Sequence, residues 1–157
     1  MRAYFAEVLG RETACLATVT DAAALAVWRR RLVEELMTPQ SPYVKALKQT
    51  GDVRDRARFL DRWRELIAET VDRVLQSGAT GDAFSSSGRG LQANVDAQKT
   101  AVLILAALHG GSILSQVAQD PEPLNAALDL ALAPFTVARG NGLARLETSI
   151  PMSDMDS

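Results

Sequence analysis

Cysteine and histidine are almost absent from this sequence: Cys15 and His109 are the only ones among 157 residues. A single cysteine excludes an internal disulfide and suits a reducing compartment, so a cytoplasmic location is expected. One imidazole and one thiol cannot assemble the nitrogen and sulfur ligands of a zinc site, and neither a metal nor a cofactor is expected. Aromatic residues make up only 5% of the chain, while alanine and leucine are plentiful. That balance favours helices, because strands prefer β-branched and aromatic side chains. The formal net charge is only −2. It lacks the concentrated positive surface that phosphate backbones require. No apolar run reaches 18 uninterrupted residues, so no membrane-spanning helix is expected. The start, Met1-Arg2-Ala3-Tyr4-Phe5, lacks the apolar core and small-residue cleavage site of a secretion signal.

What is present is ordinary globular material, 47% apolar and 23% charged, at the length of one domain. Six helical segments can be read. The first spans about residues 2–9 and stops at Gly10. The stretch from Thr13 to Thr20 has apolar residues but is too short to assign. A second helix begins at the cap Asp21, carries Leu25, Trp28, Leu32 and Leu36 on one face, and ends at Thr38-Pro39. Its opposite face holds Arg29, Arg30, Arg31, Glu34 and Glu35, with Arg30–Glu34 and Arg31–Glu35 at the spacing of i,i+4 pairs. Ser41-Pro42 starts a short third helix that Gly51 closes. Asp52 caps a long fourth helix to Ser77, stopped by Gly78.

Residues 78–90, with four glycines and three consecutive serines, read as a mobile loop. A fifth helix is capped by Asn94 and runs to Gln119, with eight consecutive apolar residues from Ala101 to Leu108. Asp120-Pro121 separates it from a sixth, about 122–138, which Gly140-Asn141-Gly142 ends. The remainder, 140–157, reads as a flexible polar tail.

The sixth helix points to an assembly. Leu124, Leu128, Ala131 and Phe135 form one apolar line, and Ala126, Leu130, Ala133 and Val137 form another. A terminal helix in a small domain normally buries one face and wets the other. The fifth helix adds small residues, Ala106, Ala107, Gly110, Gly111 and Ser112, that allow close backbone approach. Pairing these two helices with their equivalents in a second copy would hide both faces. Ala107, Gly111, Leu124, Leu128, Ala131 and Phe135 are the expected dimer contacts, the alternative being burial within one subunit.

The run Gln98-Lys99-Thr100-Ala101-Val102-Leu103-Ile104-Leu105-Ala106-Ala107-Leu108-His109-Gly110-Gly111, followed by Asp120-Pro121 and the apolar sixth helix, resembles the C-terminal domain of TetR (tetracycline repressor) family regulators. Cys15-Leu16-Ala17 upstream and the Trp-containing fourth helix fit the same pattern, and the resemblance covers roughly residues 2–139. It implies an all-α, orthogonal helical domain of about six helices over 1–139, with the last two forming an intersubunit four-helix bundle. It further implies a homodimer that binds a small-molecule effector in its core and regulates transcription. Residues 1–40 show no helix–turn–helix with a basic recognition helix, so no DNA contact is expected from this chain alone. The chain therefore reads as a truncated regulator or as a natural stand-alone effector domain.

The residues with chemical potential each have a plain reading beside the functional one. Trp28, Tyr43, Phe59 and Trp63 suit an apolar ligand pocket or an ordinary core. His109 suits a polar contact to a ligand or a hydrogen-bonded interior histidine. Cys15 suits a redox sensor or, better, a small buried hydrophobe. Arg29-Arg30-Arg31 reads as a solvated, salt-bridged face because Glu34 and Glu35 follow. Ser85-Ser86-Ser87-Gly88-Arg89-Gly90 lacks the strand and the Lys-Ser/Thr of a phosphate loop. No catalytic set converges, so an enzyme is not expected. The rival to an effector domain is a helical homodimerisation or protein-interaction module without a ligand.

Overall fold

The computed structural model describes residues 2–48, 52–79 and 86–135, with side chains described for all of these except 78–79 and 86–96. Among the described residues every regular element is helical: α1 (Ala3–Ala17), α2 (Ala22–Leu36), α3 (Pro42–Lys48), α4 (Val53–Ala79), α5 (Ser86–Ala118) and α6 (Glu122–Ala131), closed by a 3₁₀ turn at Ala133–Phe135. The expected tail, 140–157, and the end of the expected sixth helix, 136–138, lie outside the described residues, as does Gly51.

Three helix starts follow from capping. The Asp21 carboxylate accepts from the Ala24 amide at 2.8 Å and opens α2. Ser41 Oγ accepts from the Tyr43 amide at 3.2 Å, with Pro42 supplying the first helical residue of α3. Asp52 accepts from the Arg54 amide at 2.9 Å and opens α4. Each satisfies an amide that the first helical turn leaves without a partner.

Four expected boundaries are corrected. α1 does not stop at Gly10 but continues to Ala17, so the unassigned stretch after Thr13 is mostly helix. Phe5, Val8, Glu12 and Leu16 form one buried line through Gly10, and that tertiary burial outweighs the glycine's helix penalty of about 1 kcal/mol. α4 passes through Gly78 to Ala79. α5 begins at Ser86, eight residues before Asn94, so half of the expected 78–90 loop is helical; 80–85 lie outside the described residues. α6 ends at Ala131, seven residues short of expectation. Pro134 supplies the reason, since its ring would strike the carbonyl of Leu130 in a continued helix.

α5 packs against both α4 and α6, α1 lies on α3 and α4, and α2 bridges α3 and α6. The core contains Trp63, Phe5, Phe59, Leu32, Leu36, Ile67, Ile104, Leu108, Leu124 and Leu128, all essentially solvent-free. Burial of each such leucine or isoleucine contributes about 1.5–3 kcal/mol. Two arginines tie the helices together. Arg73 on α4 donates to the carbonyls of Leu16 (2.9 Å) and Val19 (3.0 Å), capping the exposed end of α1. Arg29 on α2 donates to the Asn125 carbonyl (3.0 Å) and to Asp129 (2.5 Å) on α6.

The arginine face of α2 is therefore not a row of i,i+4 pairs. Neither Arg30–Glu34 nor Arg31–Glu35 forms among the described residues. Glu35 instead accepts from Ser41 Oγ (2.5 Å) and faces Arg11 at 3.7 Å, while Arg31 turns to Cys15. Partners on other helices displace neighbours on the same one.

α5 is more apolar overall than its longest uninterrupted apolar run suggests. Among the described residues, Ala97–Ala118 is 22 residues long with a mean hydropathy of 1.7, enough to cross a bilayer by length and composition alone. Its inner line, Ala101, Ile104, Leu108 and Ser115, is fully packed inside the domain.

Candidate functional site

At the centre of the helices lies a carboxylate that sequence reasoning passed over. Glu12, on the inner face of α1, is 1% exposed. Its Oε1 accepts from the indole N–H of Trp63 at 2.8 Å and of Trp28 at 3.0 Å. Its Oε2 accepts from the hydroxyl of Tyr43 at 2.9 Å. One acidic side chain thus gathers donors from α2, α3 and α4, so all four helices meet at it. The detectable signal is an acid in an apolar line, Phe5, Val8, Glu12, Leu16; it disappears if α1 is ended at Gly10.

Burial is the largest influence on Glu12 and pushes its carboxyl above the usual range. The bonds from Trp63, Tyr43 and Trp28, and the positive charge of Arg31, pull the other way without cancelling it. Tyr43 is raised as well, first by burial and then by the negative charge of Glu12.

Four of the five candidate ligand residues are brought together here. Trp28, Tyr43 and Trp63 share Glu12, and Phe59 lies against Trp63 with ring centroids 5.5 Å apart. The cluster is filled by its own rings: Phe5 stacks on Phe59 at 4.6 Å, and Tyr43 meets Trp63 edge-on at 6.1 Å. His109 is not among them. It is half-buried on α5, and burial, with a smaller contribution from the positive charge of Arg56, holds its imidazole below the usual range.

Beside this cluster an open groove of about 410 Å³ runs between the end of α1 and the start of α2. Cys15, Val19, Ala24, Val27, Trp28 and Arg31 line it. Trp28 belongs to both features, since its ring borders the groove while its N–H bonds Glu12. Arg31 donates to Cys15 Sγ at 3.2 Å across the mouth.

Most of the candidate dimer residues lie inside a single chain. Leu124 and Leu128 are 0% exposed, Ala131 and Ala107 nearly so, and Phe135 is half-buried. Gly111 serves the α5–α6 contact itself: a Cβ there would meet the Leu124 Cα at 3.0 Å and its Cδ1 at 3.1 Å. The apolar surface left uncovered is a different one. Val102, Leu103, Ile113, Leu114 and Val117 are 46–82% exposed along α5, with Ala106 and Gly110 also exposed between them. These positions recur at three and four residues and form one stripe. Leu130 on α6 is 79% exposed.

No family model matches the chain, and no curated protein or solved structure is significantly similar to it.

Proposed function

We propose that this chain is the effector-binding and dimerisation domain of a TetR-like transcriptional regulator, with two copies joined through the outer face of α5 together with the exposed Leu130 of α6. The observation that carries the reading is the α5 stripe. Five large apolar side chains stand in solvent along one helix face while the opposite face is packed into the core. Contiguous apolar surface of that kind marks an interaction site. Ala106 and Gly110 in its middle let a second helix approach closely, and Gly110 has no neighbouring atom within 4 Å of where a Cβ would stand. Self-pairing of α5 places like surface against like, as a twofold axis requires. The contact residues are therefore Val102, Leu103, Ile113, Leu114, Val117 and Leu130, in place of the buried set Ala107, Leu124, Leu128 and Ala131.

A self-association module without an effector is the second reading. The packing of Phe5 on Phe59 within the aromatic cluster favours it.

The test is a charge placed on the stripe. Leu114→Glu should convert a two-chain species to one chain in light scattering after size exclusion, with the helical circular dichroism unchanged. Val53→Glu, at a 78% exposed position on α4, should leave the association intact. A wild-type single chain, or equal effects of the two substitutions, would sink the self-association. Binding of the single chain to neutral lipid vesicles would assign the stripe to a membrane surface instead.

A further inference from the structure

We infer that the groove between α1 and α2 is a binding site for a small amphipathic carboxylate, its apolar body lying over Trp28 and its head on Arg31. It rests on the effector-binding half of the reading above and not on the self-association. The volume, about 410 Å³, falls in the range of small-molecule sites, roughly 300–1,000 Å³. The walls are apolar: Val19, Ala24 and Val27, with Val27 left 53% exposed. Trp28 is 4% exposed and held in place by Glu12, so that boundary of the groove is rigid.

The one charge on this lining is Arg31, which acts on buried Glu12 at longer range but has no carboxylate in direct contact. Its bond is to the Cys15 sulfur, and among the described residues it forms no ion pair. Glu35, the acid one turn along, is engaged by Ser41 and Arg11. A guanidinium at the rim of an apolar cleft, in direct ion pair with no carboxylate, is complementary to a carboxylate carrying a hydrocarbon body, and its planar fork takes both oxygens. A neutral hydrocarbon would leave that complementarity unused, and a cation would be repelled.

Cys15 is the only cysteine, so its alkylation reports on the groove alone. The probe is decanoate below its micelle concentration, with the rate of N-ethylmaleimide addition to Cys15 followed by mass spectrometry. Saturating decanoate should slow that addition about tenfold, and decanol should not. Arg31→Gln should abolish most of the protection, compared as the ratio of rates with and without decanoate in the same variant, while its thermal melt stays close to wild type. Absence of protection, equal protection by decanol, or full protection in Arg31→Gln would overturn the site. Quenching of tryptophan fluorescence by decanoate with Cys15 unprotected would also overturn it, while leaving an effector domain standing.

Discussion

Glu12 is the residue on which the interior depends. Its carboxylate satisfies two buried indole N–H groups and a buried hydroxyl. Removing it leaves three donors without partners, each costing about 1–3 kcal/mol. Glu12→Ala should therefore lower stability by roughly 3–9 kcal/mol in urea unfolding, a change a solvated surface glutamate would not produce. Glu12→Gln behaves differently. Its amide oxygen still accepts from both indoles, and the Tyr43 hydroxyl can rotate to accept from the amide.

The sign of the pH dependence follows from the raised carboxyl. Between the ordinary carboxylate value of 4.5 and the higher folded-state value, the native chain holds a proton that the unfolded chain has released. Glu12 therefore makes stability fall as pH rises through that window and adds a constant deficit above it. Unfolding free energies measured from pH 4.5 upward should decline more steeply in wild type than in Glu12→Gln. Identical profiles would show that the carboxyl is not raised by burial.

At the scale of helices, glycine has two opposite meanings here. Gly10 lies in an exposed turn of α1 with no atom within 4 Å of a Cβ, so Gly10→Ala should stabilise by about 0.5–1 kcal/mol, read as a Tm increase of roughly 1–4 °C. Gly111→Ala gains the same propensity but drives a methyl onto the Leu124 backbone. It should destabilise by about 1–3 kcal/mol in the same thermal melt, because backbone cannot move aside as a side-chain tip can. If Gly111→Ala melts at or above the wild-type temperature, α5 and α6 do not pack this closely.

These glycines also explain what was legible in the sequence. The starts of α2, α3 and α4 could be read because a capping side chain acts within two or three residues. The course of α1 through Gly10 could not, because burial against α3 and α4 decides it and that is not local. With α1 cut short, Glu12 fell outside any helix and the centre of the site was lost, although Trp28, Tyr43, Phe59 and Trp63 were all singled out. The early end of α6 was legible in principle: Ala-Pro at 133–134 is a local stop signal.

For the molecule as a whole, the excess of apolar surface on the last two helices was legible, but its location was not. Periodicity identifies how many apolar faces a helix carries and not which of them its own domain covers. Leu124 and Leu128 turn inward to close the core, Gly111 and Leu124 bring α5 and α6 together, and the surplus appears on the outer side of α5. In the proposed pairing a second copy would cover Val102, Leu103, Ile113, Leu114 and Val117, which stand exposed in the single chain. The apolarity of Ala97–Ala118, high enough for a bilayer, is the same surplus counted without regard to facing.

Sedimentation equilibrium of the wild-type chain at micromolar concentration tests that surplus most directly. Two chains paired along α5 should give twice the 16.9 kDa chain mass, with the fraction of pairs falling on dilution. A mass of one chain at every concentration, in a well-folded and soluble sample, would contradict the account.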